Sequence, residues 1–180
     1  MVPGSVTLAT LFASSLLAAG AAATPAAAPE QLARIDHVAD GDTVDLTDGD
    51  RVRLVQIDTP EVYFTPECYG RRASALTKRL LPPGTLVRLA AEPATDRVDQ
   101  YGRLLRYVTR ASDGLNVNVY LVEVGAAAPY FYDGRRGRYA SSLDRLARRA
   151  RARRLGLWGE CPGTPYAPDR RIATGPRRLR

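Results

Sequence analysis

The chain has 180 residues, enough for one hydrophobic core and short of the length that usually splits into two. It carries 26 Lys and Arg against 19 Asp and Glu, and its 45% hydrophobic content excludes a wholly disordered polymer. A single histidine, His37, and two cysteines exclude the four-cysteine and two-cysteine, two-histidine zinc sites, and any mechanism built on paired histidines.

The first segment in chain order is apolar. Residues 5–23, SVTLATLFASSLLAAGAAA, are uncharged and rich in small side chains, and Ala21-Ala22-Ala23 offers a small-x-small cleavage site. Residues 1–23 therefore read as a secretory signal peptide and 24–30 as an Ala/Pro linker, with the mature protein secreted or in the cell envelope. The leading Met-Val-Pro-Gly has no Lys or Arg, so an uncleaved anchor is the alternative, since about 18 apolar residues can span a bilayer. In an oxidising compartment an even pair of cysteines defaults to a disulfide, here Cys68 with Cys161. The other reading, a reactive thiol, lacks a histidine nearby in sequence.

The domain spans residues 31–162. Residues 33–38, 43–46 and 51–57 alternate or run apolar, and turns at Asp40-Gly41 and Asp48-Gly49-Asp50 separate them as strands. Residues 67–81 read as a helix stopped by Pro82-Pro83-Gly84. Segments 85–91 and 104–109 are two further strands. Residues 116–124, NVNVYLVEV, favour strand by propensity, yet Val117, Tyr120, Leu121 and Val124 fall at helical spacing and Gly125 suits a C-cap. Residues 138–154 form an amphipathic helix with Leu143, Leu146, Ala147 and Ala150 as its apolar stripe. Five short strands and three helices place the chain in the α+β class, as a small antiparallel barrel capped by helices. Residues 163–180 are Pro-rich, basic and non-periodic, and read as a disordered tail. The charge is uneven: residues 30–134 hold 12 basic and 16 acidic side chains, residues 135–180 hold 14 and 3. Basic character thus belongs to the C-terminal quarter, and the pI of 9.8 is not by itself a nucleic-acid signature.

Three polar clusters carry the chemistry. Asp40-Gly41-Asp42-Thr43 has the composition of a hairpin turn. Asp58-Thr59-Pro60-Glu61 has that of a helix start, with a capping Asp and an early Pro. Asp99-Gln100-Tyr101-Gly102-Arg103 has that of another turn. If the strand carrying Thr43 pairs with the strand ending at Asp58, the carboxylates of Asp42 and Asp58 converge. Two carboxylates with a backbone carbonyl and waters make a hard-oxygen site suited to Ca²⁺. Arg53 and Asp58 have opposite parity, so the strand must bend or end before Asp58 if both are to face one site. Cations beside an acidic metal site suit a phosphodiester, because charge grows on the phosphoryl oxygens in the transition state.

The ordered set Asp40-Gly41-Asp42-Thr43, Arg53-Leu54, Ile57-Asp58-Thr59-Pro60-Glu61, Asp99, Tyr101-Gly102-Arg103, Val117-Asn118 and Leu157-Trp158 closely resembles the staphylococcal nuclease family over roughly residues 32–160. The resemblance implies a five-stranded OB-fold barrel with three helices. It also implies Ca²⁺-dependent hydrolysis of DNA and RNA that leaves 3′-phosphate ends. By motif position, Asp42 and Asp58 would be carboxylate ligands of Ca²⁺ and Thr59 would ligate through its backbone carbonyl. Glu61 would orient or deprotonate the attacking water, and Arg53 and Arg103 would clamp the phosphate. Tyr101, Tyr130 and Tyr132 would lie against the nucleotide, in a monomer with no stable protein partner. Gln100 departs from the lysine of the family's type member, which removes one phosphate contact. The loop VYFTPECYG after Glu61 also departs, and Cys68 and Cys161 are additions seen in many secreted relatives.

Two rival functions remain open on these residues. One is a non-catalytic OB-fold module that grips nucleic acid, but the degenerate repeats of this kind lose the acidic and arginine positions that Asp42, Arg53, Asp58, Glu61 and Arg103 retain here. The other is an anchored structural protein of the envelope. Plainer roles fit Trp158 as a core anchor, Asn118 as a partner of backbone polar groups, and His37 as a strand surface residue. The arginines at 148, 149, 151, 153 and 154 read as a solvated helix face or, alternatively, a phosphate-binding patch.

Overall fold

The computed structural model describes Met1 and residues 30–176, so the signal-peptide and linker expectations for residues 1–29 lie outside the described residues, apart from Met1. The strands of the barrel are β1 (Gln31–Val38), β2 (Thr43–Leu46), β3 (Arg51–Leu54), β5 (Leu86–Ala90) and β6 (Leu104–Arg110). They close in the order β1-β2-β3-β6-β5, antiparallel except for the parallel pair β3 and β6. β1 serves two neighbours, pairing with β5 through Gln31–Arg34 and with β2 through Ile35–Val38. A register shift between Ile35 and His37 bends it around the corner, as closure of a small barrel requires. Alternation does the rest: Ile35, Val44, Val52, Leu54, Val87, Leu89 and Val108 point inward and are buried.

The helices are α1 (Gly70–Leu80), α2 (Val117–Glu123) and α3 (Ala140–Ala152), followed by a single turn, α4 (Leu157–Glu160). The ambiguous segment 116–124 is helical. Asn116 caps it by accepting the Val119 N–H, and Val117, Leu121 and Val122 are buried on one side. Gly125 ends it at φ 73°, pressed so closely on Leu155 that a Cβ would lie 2.4 Å from its carbonyl oxygen. On α3, Ala140, Leu143, Ala147 and Ala150 are buried and the arginines face solvent. Asn118 is fully buried; its side-chain amide donates to Val55 O at 2.9 Å and accepts the Val108 N–H at 2.9 Å, tying α2 to the end of β3 and to β6.

Three boundaries differ from the sequence reading, each for a local reason. The run 51–57 is not one strand. It breaks at Gln56, whose φ is 66°, and resumes as β4 (Ile57–Asp58), which pairs with β7 (Ala128–Pro129) instead of the barrel. The buried Gln56 side chain holds this conformation by donating to Arg135 O at 2.7 Å and accepting from Gly137 N at 2.8 Å. The helix expected at 67 begins at Gly70 because Tyr69 is left-handed at φ 69°, and Gly70 abuts the Glu61 carbonyl, 2.3 Å from where a Cβ would stand. The third concerns the C-terminus. Residues 163–176 form no helix or long strand, but they are not the disordered tail their composition suggests. Tyr166 donates to Asp144 at 2.6 Å, Phe131 N donates to Pro168 O at 2.6 Å, and Ile172 is buried.

Cys68 and Cys161 are disulfide-bonded, with Cα atoms 5.9 Å apart. The bond ties the approach to α1 to the end of α4 across a separation of 93 residues. On the chain-entropy account such a loop stabilises by at most about 4–5 kcal/mol. Among the described residues, no helix is long and apolar enough to cross a membrane.

Candidate active site

The turn Asp40–Thr43 and the segment Asp58–Thr59 are locked together before any ligand is considered. Asp42 Oδ2 accepts the Thr59 N–H at 2.8 Å and the Thr59 hydroxyl at 2.9 Å. Gly41 passes so close to Thr59 that a Cβ would lie 2.4 Å from Oγ1, and its carbonyl accepts the Thr77 hydroxyl of α1 at 2.7 Å. The Asp42 N–H closes the turn on Asp40 Oδ1 at 3.0 Å. Only glycine fits this crossing.

Arg53, on β3, reaches between the two carboxylates. Its Nη2 donates to Asp58 Oδ1 at 2.5 Å and its Nη1 lies against Asp42 Oδ2. All three are buried, with Asp58 only 1% exposed. The convergence that parity seemed to forbid follows from Gln56: its left-handed backbone turns the chain so that Asp58 comes back to the side of Arg53.

The electrostatics are unbalanced. Burial raises the Asp58 carboxyl to about 6, opposed by the Arg53 charge and reinforced by Asp42. Asp40 is likewise raised to about 6, first by burial and then by the Asp42 charge. Asp40 is thus a third carboxylate of the cluster, one that the Asp-Gly-Asp spacing could have indicated. Among the described residues no group of three or more His, Cys, Asp or Glu side chains is arranged to hold a metal ion. The set is smaller: the carboxylates of Asp42 and Asp58, all oxygen, with Asp40 beside them, against the guanidinium of Arg53 and the longer contact of Arg171 to Asp58. That donor chemistry fits a hard cation such as Ca²⁺.

Arg103 lines the same cleft of about 380 Å³ as Arg53, outside the carboxylate cluster. Asp99 holds it, accepting Arg103 Nε at 2.7 Å and the N–H groups of Tyr101 and Arg103 at 2.9 and 3.0 Å. Arg103 stacks 5.3 Å from the Tyr101 ring centroid. Gln100, Tyr101, Tyr130 and Tyr132 line the same cleft, with the rings of Tyr130 and Tyr132 edge to face at 6.3 Å. Tyr101 and Tyr132 are largely exposed, an unusual state for aromatic rings and a suitable one for stacking on bases. Asp42, Asp58, Thr59 and Glu61 do not line the cleft themselves; the acidic cluster meets it through Arg53.

One residue of the site was invisible to the sequence reading. Arg171 donates through Nη2 to Glu61 Oε1 at 2.6 Å and approaches Asp58 Oδ1 at 3.4 Å, and the next N–H, of Ile172, donates to Asp58 Oδ2 at 2.8 Å. Lying more than a hundred residues from its partners in a segment without periodicity, it left no local signal.

Residues 51–160 match the family described as staphylococcal nuclease homologue. The chain belongs to that family. It is similar to an uncharacterized endonuclease of Escherichia coli O157:H7, 34% identical over 137 residues, or 73% of this chain and 80% of the relative. It is 35% identical over 130 residues to the thermonuclease of Staphylococcus intermedius, covering 69% and 74% of the two chains. With the endonuclease YhcR of Bacillus subtilis it shares 36% identity over 121 residues, which are 61% of this chain and 10% of that much longer protein. Membership of the staphylococcal nuclease family makes the chain a nuclease hydrolase built on an OB-type barrel, with the convergence at Arg53 as its polar centre.

Proposed function

We propose that this protein is an exported, Ca²⁺-dependent nuclease that hydrolyses phosphodiester bonds of DNA and RNA, acts as a monomer and leaves 3′-phosphate ends. The observation that carries the reading is Arg53 between Asp42 and Asp58 at the edge of a cleft shared with Arg103 and three tyrosines. Asp42, Asp58 and the Thr59 carbonyl would hold the ion, which when bound supplies Lewis acidity and a template for the phosphate. The Thr59 N–H and hydroxyl on Asp42 Oδ2 fix that carboxylate for the task.

Hydrolysis then needs three services from the chain. Glu61 orients a water and accepts its proton as the water oxygen bonds to phosphorus. Arg53 and Arg103 donate to the oxygens on which charge accumulates while the bond to the 5′-oxygen breaks and that oxygen takes a proton from solvent. Tyr101, Tyr130 and Tyr132 present ring faces to the flanking nucleotide, which tolerates any base because every base has a π-face. Export rests on the apolar, small-residue segment 5–23 and agrees with a disulfide, which persists in oxidising compartments. A purely binding barrel would not need Asp42, Arg53, Asp58, Glu61 and Arg103 together.

The test is incubation of protein lacking residues 1–23 with single-stranded DNA, in Ca²⁺ and in EGTA, with the ends mapped. The reading expects cleavage in Ca²⁺, little in Mg²⁺, none in EGTA, and 3′-phosphate termini. Full activity in EGTA, or 5′-phosphate products, would reject it.

A further inference from the structure

The segment from Cys161 to Pro176 leaves one point of the molecule and returns to it. Cys161 is bonded to Cys68. At the far end the Cys68 N–H donates to Gly175 O at 2.9 Å, the Thr174 hydroxyl donates to Cys68 O at 2.8 Å, and Pro176 bridges to Glu67. Both ends of the loop are therefore fastened at Cys68, two residues before α1 begins at Gly70. Between the ends, Thr164 donates to Cys161 O, Tyr166 to Asp144, and Pro168 O accepts from Phe131, so the path is defined throughout. What this path delivers is Arg171.

We propose that Arg171 is a positioning residue for the nuclease reaction, its guanidinium fixing the Glu61 carboxylate beside the Arg53–Asp58 pair. The inference rests on the function proposed above. Glu61 belongs to a loop, its side chain is 44% exposed, and among the described residues Arg171 is the one hydrogen-bond partner of its carboxylate. The carboxylates on either side of it are engaged elsewhere: Glu67 Oε2 accepts the Glu61 N–H at 3.0 Å, and Asp58 is bonded to Arg53. Without Arg171, no other side chain among the described residues would hold the Glu61 carboxylate. Arg171 holds Glu61 at 2.6 Å, stands at 3.4 Å from Asp58, and lines the cleft with Arg53, Arg103 and Tyr130. The short contact is to Glu61, while the Asp58 oxygen bonded to Arg53 receives two contacts of 3.4 Å from Arg171, and the Ile172 N–H orients the other Asp58 oxygen.

The test uses Arg171→Ala and Arg171→Lys in the full chain, each also combined with Glu61→Gln. Because Arg171 is exposed, both variants should melt within about two degrees of the wild type. Misplacing a reacting group by about an ångström costs up to about a hundredfold, so R171A should lose about 10- to 100-fold in kcat with KM changed less than threefold. R171K, which keeps the charge, should recover part of the loss. In the E61Q background, R171A should have no further effect, since the two act as a unit. Ca²⁺ binding followed by calorimetry should stay within about twofold of the wild type. Four results overturn the proposal: a raised kcat or tighter Ca²⁺ binding in R171A, which marks a latch; a raised KM with unchanged kcat, which marks a plain phosphate contact; an undiminished R171A loss in the E61Q background; and no change at all. A wild-type protein that cuts no DNA in Ca²⁺ overturns the nuclease reading itself, and Arg171's role with it.

Discussion

Two buried carboxylate centres in this barrel resemble each other in depth and differ in balance. At the active site, Asp40, Asp42 and Asp58 crowd around Arg53, and the carboxyls of Asp40 and Asp58 are pushed up to about 6. On the other side, Glu92 is 4% exposed, yet it is held below the usual carboxylate range. Burial alone would raise it, but the N–H groups of Arg138 and Ala94 and the Arg138 guanidinium more than reverse that. Its Oε2 accepts Arg138 N at 2.8 Å, Arg138 Nε at 3.2 Å and the Tyr107 hydroxyl at 3.3 Å, and Oε1 accepts Ala94 N at 3.1 Å. Gly137 packs so closely on it that a Cβ would lie 2.6 Å from the carboxyl. Donors match acceptors there, and the centre is a fastening. At the active site three carboxylates share one buried guanidinium, Arg53, and the longer contact of Arg171 to Asp58, and the excess of negative over positive charge suits a cation. The difference separates scaffold from site without reference to any relative.

The largest effect expected from this contrast is catalytic. Arg103→Ala should lower turnover on single-stranded DNA by about two to three orders of magnitude, because removing one donor to transition-state charge costs roughly 3–4 kcal/mol; melting should change little. Arg53→Ala should show the same catalytic loss and a second signature. It leaves Asp42 and Asp58 buried without their counter-charge, so in EGTA it should destabilise by about 3 kcal/mol in denaturant titration. Part of that loss should return when Ca²⁺ is added. Equal stability of the Arg53 and Arg103 variants in EGTA would break the distinction between a buried centre and a cleft wall.

Glu92→Ala should reverse the pattern. It strands the donors of Arg138, Ala94 and Tyr107, at a cost of about 2–3 kcal/mol in chemical unfolding, while turnover of the folded fraction stays near the wild-type value. A smaller effect belongs to Asp40→Asn, which removes a penalised charge while leaving an oxygen for the Asp42 N–H. The melting temperature at pH 7 in EGTA should rise; a fall would mean that Asp40 is satisfied as an ion after all.

The smallest effect is a matter of pH. Glu92 has a folded-state value below 4.5, so the unfolded chain binds its proton first as pH falls. Its contribution is complete above the unfolded value and lost as pH drops through the folded one. The stability gap between the wild type and Glu92→Gln should therefore be widest at neutral pH and narrow below about pH 4.5. A gap that is flat from pH 7 to pH 3 would show that Glu92 acts by packing and not by charge.

Much of the barrel was legible because its signals are local. Alternation marked β1, β2, β5 and β6, and the spacing of Leu143, Leu146, Ala147 and Ala150 marked α3. The segment 116–124 shows the limit: propensity pointed to a strand, and the pattern of Val117, Leu121 and Val122 won because burial outweighs propensity. The break at Gln56 carried no such mark. Glutamine is not a residue that seeks a positive φ, and it is held there by Arg135 and Gly137, about eighty residues away. Glu92, a lone acid before a Pro, gave no hint that Arg138 would meet it.

By itself the sequence determined the strand and helix inventory, the disulfide partners and the ordered set of polar residues that resembles a nuclease, because each is written in spacing, residue type or a small count. Tertiary structure alone decided three things. It turned Asp58 back toward Arg53 through the left-handed Gln56, it set the half-buried Asp40 beside Asp42 as a third carboxylate, and it carried Arg171 to Glu61 along a loop fastened at Cys68. The physical reason is common to all three. A charge or a backbone angle of this kind is set by what surrounds it in space, and those neighbours come from parts of the chain that no local pattern connects.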